Sequence, residues 1–95
     1  MATMTLPKEI REILNNEQVL NVFLNLYYRW QDEKKYEDFK DYIDVMAGCL
    51  PVGSKVLGGT KRPLGIKFKY NNQTFHLILK IRNNSCNLAV GIIKN

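Results

Sequence analysis

The chain has 95 residues and a mass of 11.1 kDa, enough for one hydrophobic core and not two, so a single domain over residues 1–95 is expected. With 45% apolar and 24% charged residues it lies near the globular average, which excludes the weakly hydrophobic, highly charged composition of chains that stay unfolded. A net charge of +5 turns attention to anionic partners.

That charge is unevenly spread. All nine acids, Glu9 through Asp44, stand in the first 44 residues against six bases, a net of −3. From Val45 onward there is no acid, and Lys55, Lys61, Arg62, Lys67, Lys69, Lys80, Arg82 and Lys94 make the remainder +8. The hydrophobic period changes at the same place, from three-and-four spacing up to residue 48 to alternation from residue 54 onward. A helical half over residues 1–50 and a β half over 54–95 are expected.

Pro7, with Thr5 just before it, suits the first turn of a short helix ending at Leu14, and Asn15 and Asn16 mark its end and the cap of the next. The second helix, Glu17 to Gln31, is apolar around most of its circumference, and Asn21, Asn25 and Arg29 form one narrow polar stripe. Such a helix needs cover on more than one side, from the sheet and from another helix or a second subunit. Phe23, Tyr27, Tyr28 and Trp30 are therefore its candidate interaction residues, and a homodimer is expected.

The third helical stretch, Glu33 to Gly48, stacks Tyr36, Phe39, Ile43 and Met46 on one face and Glu33, Glu37, Asp41 and Asp44 on the other. Joined to the second helix without a break it would run about 32 residues or ~48 Å, too long for this mass, so a kink or turn is expected near Gln31 to Lys35. The acidic row has the spacing of a wet helix face, and no metal site is assigned to it. Gly48, Pro51 and Gly53 end the helical half.

Lys55 to Leu57 reads as a short strand before a Gly58-Gly59 turn. Beyond it, two Asn-Asn pairs set the register. With Asn71-Asn72 as a two-residue loop, Phe68 faces Phe75 and Ile66 faces Leu77. With Asn83-Asn84 as the next, Ile81 faces Cys86, Leu79 faces Leu88, Leu77 faces Val90 and Phe75 faces Ile92. A one-residue slip would set core positions against Lys67 or Lys80, so the apolar match selects one register. The expected architecture is α+β, with two or three N-terminal helices packed on one face of a three- or four-stranded antiparallel C-terminal β-meander.

The opposite face of that sheet would carry Lys67, Lys69, His76, Lys80 and Arg82 among small side chains. Antiparallel sheets commonly leave one face in water, so a plain solvated surface is one reading. The other is a binding face for nucleic acid or another polyanion, since it offers spaced cations and room for a backbone to approach. It has no aromatic residue on which bases would stack, so binding through it would be directed at the backbone and poor in sequence preference.

Gly58-Gly59-Thr60-Lys61-Arg62-Pro63 is a second anion candidate, with Lys61 and Arg62 as its cations, but it lacks the spacing of a phosphate-binding Walker loop. His76, the only histidine, would face Lys67, which opposes its protonation. No catalytic triad or metal cluster can be assembled around it, so no catalytic residue, cofactor or metal is assigned. Cys49 and Cys86 fit no zinc pattern and are expected as reduced, buried thiols, with Cys86 pointing into the core. No apolar run has the length of a membrane span, and Met1 to Leu14 lacks the apolar core of a signal peptide, which points to a cytoplasmic protein without membrane contact.

Helices, a glycine-containing turn and then a basic antiparallel meander from Val56 to Lys94 form a layout that resembles the RelE/ParE-type toxins. Those are small basic proteins, some of which cleave mRNA on the ribosome. They usually begin with a strand, whereas Met1 to Glu12 here reads as a helix start. The resemblance implies ribonuclease activity as one alternative. Three functions stand open on the sequence: a non-enzymatic polyanion-binding module, a protein-interaction module or inhibitor acting through its apolar helix and charged faces, and a RelE-like ribonuclease.

Overall fold

The computed structural model describes residues 6–33 and 38–93. Three helices, α1 (Lys8–Leu14), α2 (Glu17–Glu33) and α3 (Phe39–Ala47), precede four strands, β1 (Lys55–Lys61), β2 (Leu64–Tyr70), β3 (Gln73–Arg82) and β4 (Ser85–Ile93). The strands form one antiparallel sheet in sequence order, as an α+β protein with a C-terminal meander requires.

Side-chain caps start two of the helices. The Asn16 carboxamide oxygen accepts from the Gln18 amide at 2.9 Å, opening α2, and Asp38 accepts from the Lys40 amide at 3.0 Å, opening α3. Pro7 stands immediately before α1. The third helix was expected from Glu33. That residue instead closes α2, residues 34–37 and with them Tyr36 and Glu37 lie outside the described residues, and α3 begins at Phe39.

The helices form a single layer on one face of the sheet. α1 packs over β4, α2 over β2 and β3, and α3 over β1 and β2. The chain thus crosses the sheet one way in helices and returns the other way in strands. Neighbouring helices flank α2 on both sides, which covers much of its apolar circumference: Leu20, Val22, Leu24 and Tyr27 are half-buried against the core. Val19, Phe23 and Leu26 point into the core, while Asn21, Asn25 and Arg29 are exposed as the polar stripe requires.

The core lies between the two layers. Ile66, Phe68, Phe75, Leu77, Leu79 and Leu88 project from the sheet onto Ile10, Ile13, Phe23, Tyr42 and Met46. Each side chain of this size, once fully buried, contributes about 1.5–3 kcal/mol by leaving water. Tyr42, only 2% exposed, was not among the inward residues expected for the third helix. It reaches the core from beside Phe39, and Trp30 meets both rings edge-on at 5.5 and 5.1 Å, joining α2 to α3.

Both Asn-Asn turns occur in the expected register. Asn71 and Asn72 take φ of 50° and 61°, the left-handed pair that a tight hairpin needs, and Asn83 takes 51°. The first hairpin differs from expectation. Gly58-Gly59 is not a turn: β1 continues through it to Lys61, and the loop is Arg62-Pro63, joined by a cis peptide bond. Gly58, at φ 155°, follows a bulge after Val56, and Gly59 lies so close beneath α3 that a Cβ there would stand 2.6 Å from Ile43 Cγ1. The paired glycines therefore serve strand curvature and helix packing.

Gly65 has even less room, since a Cβ would collide with the Leu77 carbonyl oxygen and with Ile78, and a backbone atom cannot swing aside as a side-chain end can. Gly91 has open space around its Cβ position. Gly65→Ala is expected to lower folding stability by about 1–3 kcal/mol, while Gly91→Ala stays within about 0.5 kcal/mol of the parent. Urea midpoints measure both, and equal midpoints would contradict the packing described for β2.

Candidate polyanion-binding face

A side chain's face on this sheet follows from parity. Residues flanking the buried row of each strand point away from the helices, so Lys67 and Lys69 of β2 and Thr74, His76, Ile78, Lys80 and Arg82 of β3 share the outer face. Lys55, which pairs with Lys69, joins them from β1. Sequence reasoning did not include Lys55, because the bulge after Val56 changes the parity of β1. Lys55, Lys67, Lys69, Lys80 and Arg82 are all exposed, and among the described residues none forms an ion pair.

The cations fall into two groups. Lys55, Lys67 and Lys69 occupy one end of the face and Lys80 and Arg82 the other, with a neutral belt of Thr60, Gly65, Ile78 and Ala89 between them. Along β3 the row of His76 and Lys67 is separated from Lys80 by about 13 Å of strand.

Lys61 lies elsewhere. It pairs with Leu64, a core residue, so its side chain leaves the sheet on the helical side. There its Nζ sits 5.2 Å from the Trp30 ring centroid and 5.3 Å from that of Phe39, a cation–π arrangement. With Arg62 it borders a groove of about 260 Å³ that Tyr27, Trp30, Gln31 and Leu64 also line. The residues expected to bind polyanions are thus divided: Lys67, Lys69, His76, Lys80 and Arg82 are brought together, while Lys61 is held away from them and Arg62 sits in the turn beside it.

The four candidate interaction residues of α2 are divided too. Phe23 is fully buried and has no surface to offer a partner. Trp30 is engaged with Phe39, Tyr42 and Lys61. Tyr27 is half-buried edge-on to Tyr28 at 5.5 Å, and Tyr28 alone is well exposed, at 58%.

His76 sits within the basic face and is tied to the β1–β2 turn. The Thr60 hydroxyl donates its single proton to the Pro63 carbonyl at 2.8 Å, so in its 2.9 Å contact with His76 it must accept. The imidazole therefore carries its proton on Nε2, which leaves the Nδ1 lone pair unused by this contact. Partial burial and then the Lys67 charge hold the His76 pKa below its ordinary 6.5. The Lys67 opposition follows from the register, whereas the burial and the Thr60 bond arise from β1, which was expected to stop before Thr60.

Both cysteines are free thiols, but each is half-buried rather than enclosed in the core as expected, and burial raises the pKa of Cys49. Among the described residues no group of three or more His, Cys, Asp or Glu is placed to hold a metal ion, and no helix is long and apolar enough to cross a membrane. The sequence matches no protein-family model and no curated protein, and no solved structure matches the fold.

Because the folded chain disfavours the His76 cation, its contribution to stability is fully present above the unfolded value of 6.5 and is lost as pH falls through the lower folded value. The urea midpoint is expected to decline between pH 7.5 and 5.5, and to decline less in His76→Gln. Identical slopes in the two proteins would show that His76 is not the cause.

Proposed function

We propose that this protein is a non-enzymatic module that binds a polyanion backbone, such as that of a nucleic acid, across the outer face of its sheet. The observation that carries the reading is the convergence of Lys55, Lys67, Lys69, Lys80 and Arg82 on one exposed face without an acid among them. Exposed surface cations attract phosphates and release the counterions condensed on them, which drives binding without reading sequence. Exposed aromatic side chains, which would stack bases, are missing from this face among the described residues, so the preference is for charge spacing rather than base identity. His76 adds to the contact only when protonated, which its surroundings disfavour in the free chain: it then keeps its Nε2 bond to Thr60 and presents an Nδ1 donor and a positive charge to the face.

Fluorescence anisotropy with labelled single-stranded RNA and duplex DNA tests the reading. Each phosphate contacted should add about 0.7 (single strand) or 0.9 (duplex) to the slope of log affinity against log salt, for a slope of about −3.5 on single strands if all five cations engage. Lys67→Glu combined with Lys80→Glu is expected to abolish binding, while Lys61→Ala leaves the slope unchanged because Lys61 leaves the sheet on the other side. Equal affinity of the double variant and the parent would refute the proposal.

A further inference from the structure

The two edges of the sheet, β1 and β4, differ in how they meet solvent. β1 carries Lys55 and Lys61 and a bulge between Val56 and Gly58, which are features that keep an edge strand from pairing with another chain. β4 has none of them. Its nine residues, from Ser85 to Ile93, include no charge and no proline, and its register with β3 is unbroken.

The register also says which main-chain groups β4 turns outward. In a two-residue hairpin the pair flanking the loop, here Arg82 and Ser85, exchanges both main-chain hydrogen bonds, and every second pair beyond it does the same. Asn87, Ala89, Gly91 and Ile93 thus bond to β3, while the N–H and C=O groups of Cys86, Leu88, Val90 and Ile92 point away from the sheet. Among the described residues no strand pairs with that edge.

We propose that β4 is the interface of a symmetric dimer, in which two copies of this chain pair β4 to β4 antiparallel with Ala89 on the two-fold axis. That register alone pairs all four outward-turned residues: Leu88 with the partner's Val90, Cys86 with the partner's Ile92, and the reverse. Moving the axis to Leu88 or Val90 leaves one of the four opposite a residue outside the strand. The side-chain match agrees with the main-chain match. On the helical side apolar residues meet apolar residues, and Val90 and Ile92, half-buried in one copy, gain cover. On the outer side Ala89 meets the partner's Ala89, Asn87 meets the partner's Gly91 and Ser85 meets the partner's Ile93, so a small residue stands in every pair and no charge opposes approach. An isologous contact of this kind is self-complementary and closes at two copies. It also joins the outer faces, so that the row of Lys67, His76 and Gly91 continues into the partner's Asn87 and the partner's Lys80. The interface is independent of polyanion binding.

Sedimentation equilibrium of the full chain without nucleic acid should show a dimer at tens of micromolar. Val90→Pro removes an N–H that one copy leaves unused and blocks pairing, so it should give a monomer with an unchanged far-UV circular dichroism spectrum. Cross-linking decides the matter should that variant fail to fold. With Cys49→Ser and Cys86→Ser as background, Ala89→Cys should oxidise rapidly to a disulfide dimer, since residues on the axis form a non-hydrogen-bonded pair with Cα atoms about 4.5 Å apart. Asn87→Cys should not, because its twin lies four residues along, about 13 Å away. A parent that is monomeric at several hundred micromolar, a folded Val90→Pro that remains dimeric, or equal cross-linking at positions 87 and 89 would each overturn the interface. None of these outcomes alters the salt slope by which polyanion binding is judged.

Discussion

Two tight asparagine turns hold the apolar row Ile66, Phe68, Phe75, Leu77, Leu79 and Leu88 on one side of the sheet, and the remaining features of the molecule depend on that alignment. In a strand the side-chain period is two, so placing those residues inward places Lys67, Lys69, His76, Lys80 and Arg82 outward with no further choice to make. A slip of one residue would put a lysine ammonium in the core. The desolvation of an unpaired charge costs far more than any alternative pairing returns, and the register is therefore tightly specified. The core and the basic face are two sides of one constraint.

Covering the apolar side falls to helices that are short except for α2. α1 has seven residues and α3 nine, so neither spans the sheet, and α2 lies across the two central strands with one of them on each flank. This arrangement explains a helix that is apolar almost all round without a second helical layer above it. Its inward residues meet the sheet, Trp30 meets α3, and the half-buried residues at its sides lie in the seams between helices. The layer ends before the hairpin tip of β3, which leaves Ile81 on the helical side 42% exposed.

The cations of the β half do different work according to the side on which they emerge. On the outer face they are exposed and free of ion pairs among the described residues, which leaves their charge available to an anion. On the helical side Lys61 lies against Trp30 and Phe39, where the ammonium meets the negative faces of the rings and the alkyl stem covers apolar surface. The difference between a ligand-directed and a structural lysine here comes from its parity within the sheet, not from the residue itself.

The α+β class, the three helices, the α2 cap at Asn16 and the register of β2, β3 and β4 were legible in the sequence, because each rests on a local signal: an apolar period, a capping residue or a pair of asparagines flanked by matching strands. The outer-face set Lys67, Lys69, His76, Lys80 and Arg82 followed from the same alternation. The path of β1 was not legible. Gly58-Gly59 and Arg62-Pro63 are both credible turns, and only the approach of Ile43 and Phe39 to Gly59 shows why the first pair belongs inside a strand. With the strand running on through that pair, Lys61 falls on the helical side and Thr60 lies against His76, and the bulge after Val56 brings Lys55 onto the basic face. Likewise Phe23 and Tyr28 are both aromatic residues of one apolar helix, and burial separates them only once the sheet and α3 are in place. Periodicity assigns a residue to a face of its own element; which neighbour that face meets is decided by packing between elements far apart in the chain.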